Sequence, residues 1–210
     1  MGWANRITLA RAVMTRVVWV LIVWADRQSG PADGLWYAAC IIFVLAAASD
    51  FVDGMLARKL QEVSVFGRIA DPLVDKMLTI GTLIVLLGVA ELHPWLPAWA
   101  VALIFTREIL VTTIRGAIEG RGINFSAIWF GKYKMALQCG AVIALLLVPP
   151  GVGWITNEIP FLAWLPGPEG TWNFAHVCVW AATIVTVLSG YVYAMRARRM
   201  LKAEPASDDA

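Results

Sequence analysis

The residues able to do chemistry are concentrated in one stretch, ASDFVDGMLARKLQEVSVFGRIADPLVDK, which runs from Ala48 to Lys76 between two apolar runs, 35–49 and 77–90. It carries four carboxylates: Asp50, Asp53, Asp71 and Asp75. Asp50 and Asp53 are three apart and Asp71 and Asp75 four apart, so on helices each pair shares one face. Four acids at the mouth of an apolar hairpin repel one another, and desolvation adds to the cost of keeping them charged. Hard divalent cations resolve this. Mg²⁺, or Mn²⁺ in its place, takes oxygen ligands, keeps several waters and bridges carboxylates to phosphates. Gly54 and Gly67 allow a bulky ligand or a second helix close to the backbone. Arg58 offers a planar fork for phosphate.

A second, cationic set lies further along. Arg107 and Arg115 are eight apart, about two helical turns, and Lys132 and Lys134 open the next apolar segment. Arginine inside a membrane helix is costly and faces a partner or a wet cavity. The functional reading is a pocket for a phosphorylated acceptor beside the acids. The competing reading is anchoring at lipid headgroups. Glu108, adjacent to Arg107, is expected to point elsewhere on its helix and to neutralise a neighbouring basic group.

These groups need elements to hold them. The chain is 60% hydrophobic and 15% charged over 210 residues, with a mean hydropathy of +0.70. That is the composition of an integral membrane protein, and it excludes a soluble domain. Six spans are expected, at about 1–25, 35–60, 67–90, 98–118, 127–148 and 173–195, in an all-α, six-helix transmembrane domain over 1–203. Residues 204–210 form a disordered tail. Residues 1–25 read as a retained helix in preference to a signal peptide, because Arg11 and Arg16 fall within the helical pattern; Arg16 snorkels to the interface. Pro72 suits the first turns of the third helix, and residues 149–172 read as an external loop. With six spans, every Lys and Arg except Arg27 falls on one side. The positive-inside rule then places both termini and the Asp50–Asp75 cluster in the cytoplasm. Trp24, Trp36, Trp95, Trp99 and Trp172 fall near helix ends, as an aromatic belt does. Cys40, Cys139 and Cys178 have neither disulfide nor zinc spacing, and His93 and His176 lie far from the acids.

The pattern Asp50-x2-Asp53-Gly54-x2-Ala57-Arg58-x8-Gly67-x3-Asp71-x3-Asp75 resembles the signature of the CDP-alcohol phosphotransferases at every fixed position. Arg107-Glu108-x6-Arg115 and Gly131-Lys132-Tyr133-Lys134-Met135-x2-Gln138 are similar to stretches of the branch that uses sn-glycerol 3-phosphate as acceptor. Met135 departs from the threonine usual there. The similarity covers residues 5–138, and the last third of the chain carries no motif.

The resemblance implies a phospholipid-synthesising enzyme of the inner (plasma) membrane that moves the phosphatidyl group of CDP-diacylglycerol onto an alcohol and releases CMP. It implies Mg²⁺ or Mn²⁺, two ions, on Asp50, Asp53, Asp71 and Asp75. It places Gly54, Arg58, Ser64, Gly67, Asn5 and Thr8 around CDP-diacylglycerol, with Arg11 beside them. Asp75 becomes the general base on the acceptor hydroxyl, and Arg107, Arg115, Lys132 and Lys134 hold the acceptor phosphate. Homodimerisation and contact with membrane lipid are implied as well, and no nucleic-acid partner. Rival acceptors within the family would make the chain a phosphatidylinositol-phosphate, cardiolipin or phosphatidylserine synthase. A transporter would instead show midplane acids, broken helices and a pseudo-symmetric second half, none of which is visible; a purely structural subunit needs no register between acids, Gly and Arg.

Overall fold

The computed structural model describes residues 3–29, 32–60, 72–120, 130–148 and 174–203. Side chains are described for 7–29, 32–49, 72–118, 120, 133–148 and 174–200. Six long helices account for most of these residues, and no strand occurs among them. The helices are α1 (Trp3–Asp26), α2 (Asp33–Leu60), α3 (72–86), α4 (Ala98–Glu119), α5 (Phe130–Leu146) and α6 (Phe174–Ala203). The expected 149–172 loop and the 204–210 tail lie outside the described residues.

The α1 and α2 helices pack on each other, and α6 packs on both α4 and α5, while α2 touches α5. Between the two groups runs α3. Its middle is a π-turn, Met77–Gly81, which touches α1, α2, α4 and α5. Leu78, Thr79 and Ile80 are buried there. A wide turn of this kind adds one residue to the helix and rotates the segment before it relative to the segment after it. Asp75 stands just before the turn. The indole Nε1–H of Trp19 on α1 donates to Thr82 Oγ1 at 3.1 Å, and its ring lies where a side chain on Gly81 would go. The α1–α3 contact therefore fits around a glycine.

The bundle has an apolar core, and its surface is strongly apolar as well. Large apolar side chains face outward, among them Leu9, Val20, Ile41, Leu188 and Ile184. Thr8, Arg11, Thr15, Arg107, Glu108, Gln138, Thr183, Thr186 and Ser189 are buried. A surface this apolar around buried polar groups is suited to hydrocarbon. Among the described residues, Ile7–Asp26 and Phe174–Met200 are each long and apolar enough to cross a membrane, with shorter apolar helices at Asp33–Ser49 and Tyr133–Leu146. In α4 the charges of Arg107, Glu108 and Arg115 interrupt the apolar run.

Two helix ends differ from expectation, as does one tryptophan. The third helix ends at Leu86, with turns at 87–88 followed by a short 3₁₀ turn, Ala90–Leu92. His93 Nε2–H closes that corner on Leu87 O at 3.1 Å. The sixth helix continues to Ala203, because Arg196, Arg198 and Arg199 extend it past the apolar segment instead of ending it. Trp36 is buried against the core and so does not join an aromatic belt, whereas Trp24 and Trp99 are exposed.

Candidate active site

The described parts of the acid stretch lie on two helices, α2 up to Leu60 and α3 from residue 72. Asp50, Asp53, Gly54 and Arg58 all lie on the continuous helix α2, with backbone described and side chains not. Three residues apart on one helix, Asp50 and Asp53 share a face. Ser64, Gly67 and Asp71 lie outside the described residues. Asp75 is half-buried on α3, with Oδ1 screened from solvent, and its backbone carbonyl accepts from Thr79 Oγ1 at 3.2 Å. On α1, Asn5 is described by backbone alone, while Thr8 and Arg11 point into the protein, Arg11 only 1% exposed. Arg16 is exposed on the opposite face.

The cationic set is centred on Glu108. Its Oε1 accepts from Arg107 Nη1 at 2.8 Å and also from Lys134 Nζ. The expectation that Glu108 points away from Arg107 is overturned. Neighbours on a helix diverge at Cβ, but the long arginine side chain folds back to reach the carboxylate. Neutralisation of a basic neighbour does occur, and twice. Arg107 Nη2 donates to Ser189 Oγ on α6 at 2.7 Å, and its guanidinium carbon lies 5.7 Å from the centre of the Tyr193 ring, within cation–π range. Arg107 is thus engaged on three sides, whereas Arg115 stands exposed two turns later. Lys132 lies on α5 with its side chain outside the described residues.

One contact ties this set to the acid stretch: Lys76 Nζ, next to Asp75, donates to Thr112 Oγ1 on α4. The helix that carries Asp75 is thereby bonded to the helix that carries Arg107 and Glu108. On α5, Gln138 lies one turn after Lys134 and its Nε2 donates to Thr186 Oγ1 on α6 at 3.2 Å.

The sequence reading missed the part α6 plays in the site. Its polar line, Thr183, Thr186, Ser189, Gly190 and Tyr193, recurs every three or four residues within an apolar helix. That periodicity marks one face directed at neighbouring helices and was the available signal.

The donor chemistry suits a hard divalent cation. The motif offers carboxylate oxygens alone, and the one acid of the four whose side chain is described, Asp75, holds an oxygen away from solvent. Among the described residues no three His, Cys, Asp or Glu side chains converge; Asp75 alone represents the motif there.

A helical bundle with Asp50 and Asp53 on one helix and Asp75 on an adjoining one fits a membrane-associated transferase class, and a family model agrees. CDP-alcohol phosphatidyltransferase matches residues 1–188, and the chain belongs to that family. The family generally depends on a divalent metal. Among relatives, a Bacillus subtilis (strain 168) protein named CDP-diacylglycerol–glycerol-3-phosphate 3-phosphatidyltransferase is 35% identical over 198 residues, covering 90% of this chain and 91% of its own length. A Mycobacterium tuberculosis (strain ATCC 25618 / H37Rv) protein named "Probable phosphatidylglycerophosphate synthase" is 36% identical over 197 residues, covering 93% and 81%. A Streptomyces coelicolor protein named cardiolipin synthase (CMP-forming) is 27% identical over 205 residues, covering 97% and 86%.

Proposed function

We propose that this chain transfers the phosphatidyl group of CDP-diacylglycerol to sn-glycerol 3-phosphate, releasing CMP and forming phosphatidylglycerophosphate. The observation that carries this reading is the hydrogen bond from Lys76, next to Asp75, to Thr112 of α4, which sets the helix of the diphosphate motif against the helix of the acceptor motif. The names of the relatives that span nine-tenths of the chain support the choice of acceptor.

In this reading Asp50, Asp53, Asp71 and Asp75 hold the divalent metal, two ions by family likeness. Bound there, the metal draws charge from the diphosphate and stabilises the departing CMP. Arg58, the backbone at Gly54 and Gly67, Ser64, Asn5 and Thr8 hold the nucleotide lipid. Asp75 takes the proton from the acceptor hydroxyl, whose oxygen forms a bond to the phosphatidyl phosphorus. The bond from that phosphorus to the CMP oxygen breaks, and CMP leaves with the electron pair. Lys132, Lys134 and Arg115 face the acceptor phosphate. Arg107, already bonded to Glu108 and Ser189, adds charge from behind them.

The active site faces the cytoplasm of a multi-pass inner-membrane protein with six spans and both termini inside, arranged as one catalytic domain over 1–203. The one-sided distribution of Lys and Arg supports that topology. The enzyme works as a homodimer, by family likeness.

The test is a panel of acceptors. Purified chain with CDP-diacylglycerol and Mg²⁺ releases CMP with glycerol 3-phosphate and forms a lipid of matching mass. Release with inositol phosphate, serine or phosphatidylglycerol, and none with glycerol 3-phosphate, would refute the acceptor and leave the family chemistry standing.

A further inference from the structure

We propose that Ser189, Gly190 and Tyr193 of α6 are positioning residues for the acceptor: they fix Arg107, Arg107 fixes Glu108, and Glu108 fixes Lys134. This rests on the acceptor reading above for its kinetic consequence, but on contacts alone for its geometry.

Each link is a defined contact. Ser189 Oγ accepts from Arg107 Nη2 at 2.7 Å while donating to Thr186 O at 3.0 Å, so the hydroxyl has a set orientation. Gly190 leaves room for the arginine stem. A Cβ there would lie 2.8 Å from Arg107 Cγ and 3.5 Å from its Nε. Because Cγ is near the backbone, the whole side chain would have to move. Tyr193 flanks the guanidinium with its ring. With Nη2 held on α6, Nη1 is directed at Glu108, and the same Glu108 oxygen receives Lys134. All of Ser189, Arg107 and Glu108 are at least nine-tenths buried. Displacing any of them therefore shifts charge in a medium that screens little. Lys134, at the end of the relay, is the member that the acceptor reading sets against the acceptor phosphate.

The experiment compares Ser189→Ala, Ser189→Thr and Gly190→Ala with the parent enzyme. Ser189→Ala removes the acceptor of a charge-assisted hydrogen bond. It is expected to raise the KM for glycerol 3-phosphate about tenfold, with the KM for CDP-diacylglycerol and kcat within about twofold. Ser189→Thr keeps the hydroxyl and restores the acceptor KM. Gly190→Ala, which disturbs the arginine stem from a second direction, reproduces the Ser189→Ala pattern. In a Lys134→Ala background, Ser189→Ala adds less than about twofold to the acceptor KM, because its effect passes through the lysine. A purely structural role would reduce the active fraction, and so kcat alone, with both KM values unchanged; that result overturns the proposal. An independent readout is acylation of Lys134 by a small amine reagent, followed by mass spectrometry. Faster labelling in Ser189→Ala supports the relay and unchanged labelling refutes it. If the parent enzyme rejects glycerol 3-phosphate, the acceptor reading fails on its own, and the labelling rate still decides the relay.

Discussion

Substituting Gly81 with alanine tests whether the bundle is held together as described around the π-turn. An alanine Cβ would lie 2.3 Å from Trp19 Cζ2, 3.1 Å from Cη2 and 3.3 Å from Cε2. Contacting carbons sit at about 3.5–4.0 Å, so the overlap exceeds what small adjustments absorb. The indole must rotate, which breaks its hydrogen bond to Thr82 Oγ1. Overpacking costs about 1–3 kcal/mol, and the lost hydrogen bond about 1 kcal/mol. Alanine is favoured over glycine within a helix by about 1 kcal/mol, which offsets part of this. The net loss is about 1–3 kcal/mol, or roughly 2–10 °C in Tm for a chain of this size. Thermal unfolding in detergent, followed by intrinsic tryptophan fluorescence, reads it. In a Trp19→Leu background the same Gly81→Ala change should cost less than about 1 kcal/mol, since the clashing ring is gone. A Gly81→Ala protein as stable as the parent, or more so, would mean that helix propensity outweighs the contact, and would refute the packing argument.

Other perturbations test the site. Glu108→Ala leaves Arg107 and Lys134 as buried cations without their shared counter-charge; a destabilisation of about 3–5 kcal/mol is expected, read as a lower unfolding midpoint in mixed micelles containing SDS, and an unchanged midpoint would contradict the pairing. Arg115→Ala should raise the acceptor KM about tenfold with little effect on that for CDP-diacylglycerol, as measured by initial rates of CMP release. Chelation with EDTA should abolish turnover, and Mg²⁺ or Mn²⁺ should restore it; full activity in excess chelator would count against a metal on the four aspartates.

The helices were legible because their cause is local. Apolar runs of the right length, interrupted at Gly, Pro and polar turns, placed α1, α2 and α4 close to their observed limits. That Asp50 and Asp53 share one helix and Asp75 stands on the next was legible in the same way, from spacing. What escaped depends on contacts between residues distant in sequence. The π-turn at Met77–Gly81 lies where α3 packs against α1, α2, α4 and α5, and nothing in MLTIG announces it. Arg107 looked like an open fork for phosphate, because the side chains that occupy it, Ser189 and Tyr193, belong to a helix without a recognised motif. Glu108 was misjudged for a different reason: the angle between adjacent Cβ atoms says little about where a long, flexible arginine side chain ends. Trp36 shows the limit of the aromatic-belt argument, since position near a helix end does not decide which face a ring occupies.

The proposed chemistry depends most on Asp75 as the group that takes the acceptor's proton. Its direct test is Asp75→Asn, measured in one preparation for both CDP-diacylglycerol binding and CMP release with glycerol 3-phosphate. Turnover should fall about 10²–10⁴-fold while the nucleotide lipid still binds. Release of CMP at a rate near that of the parent enzyme would contradict it.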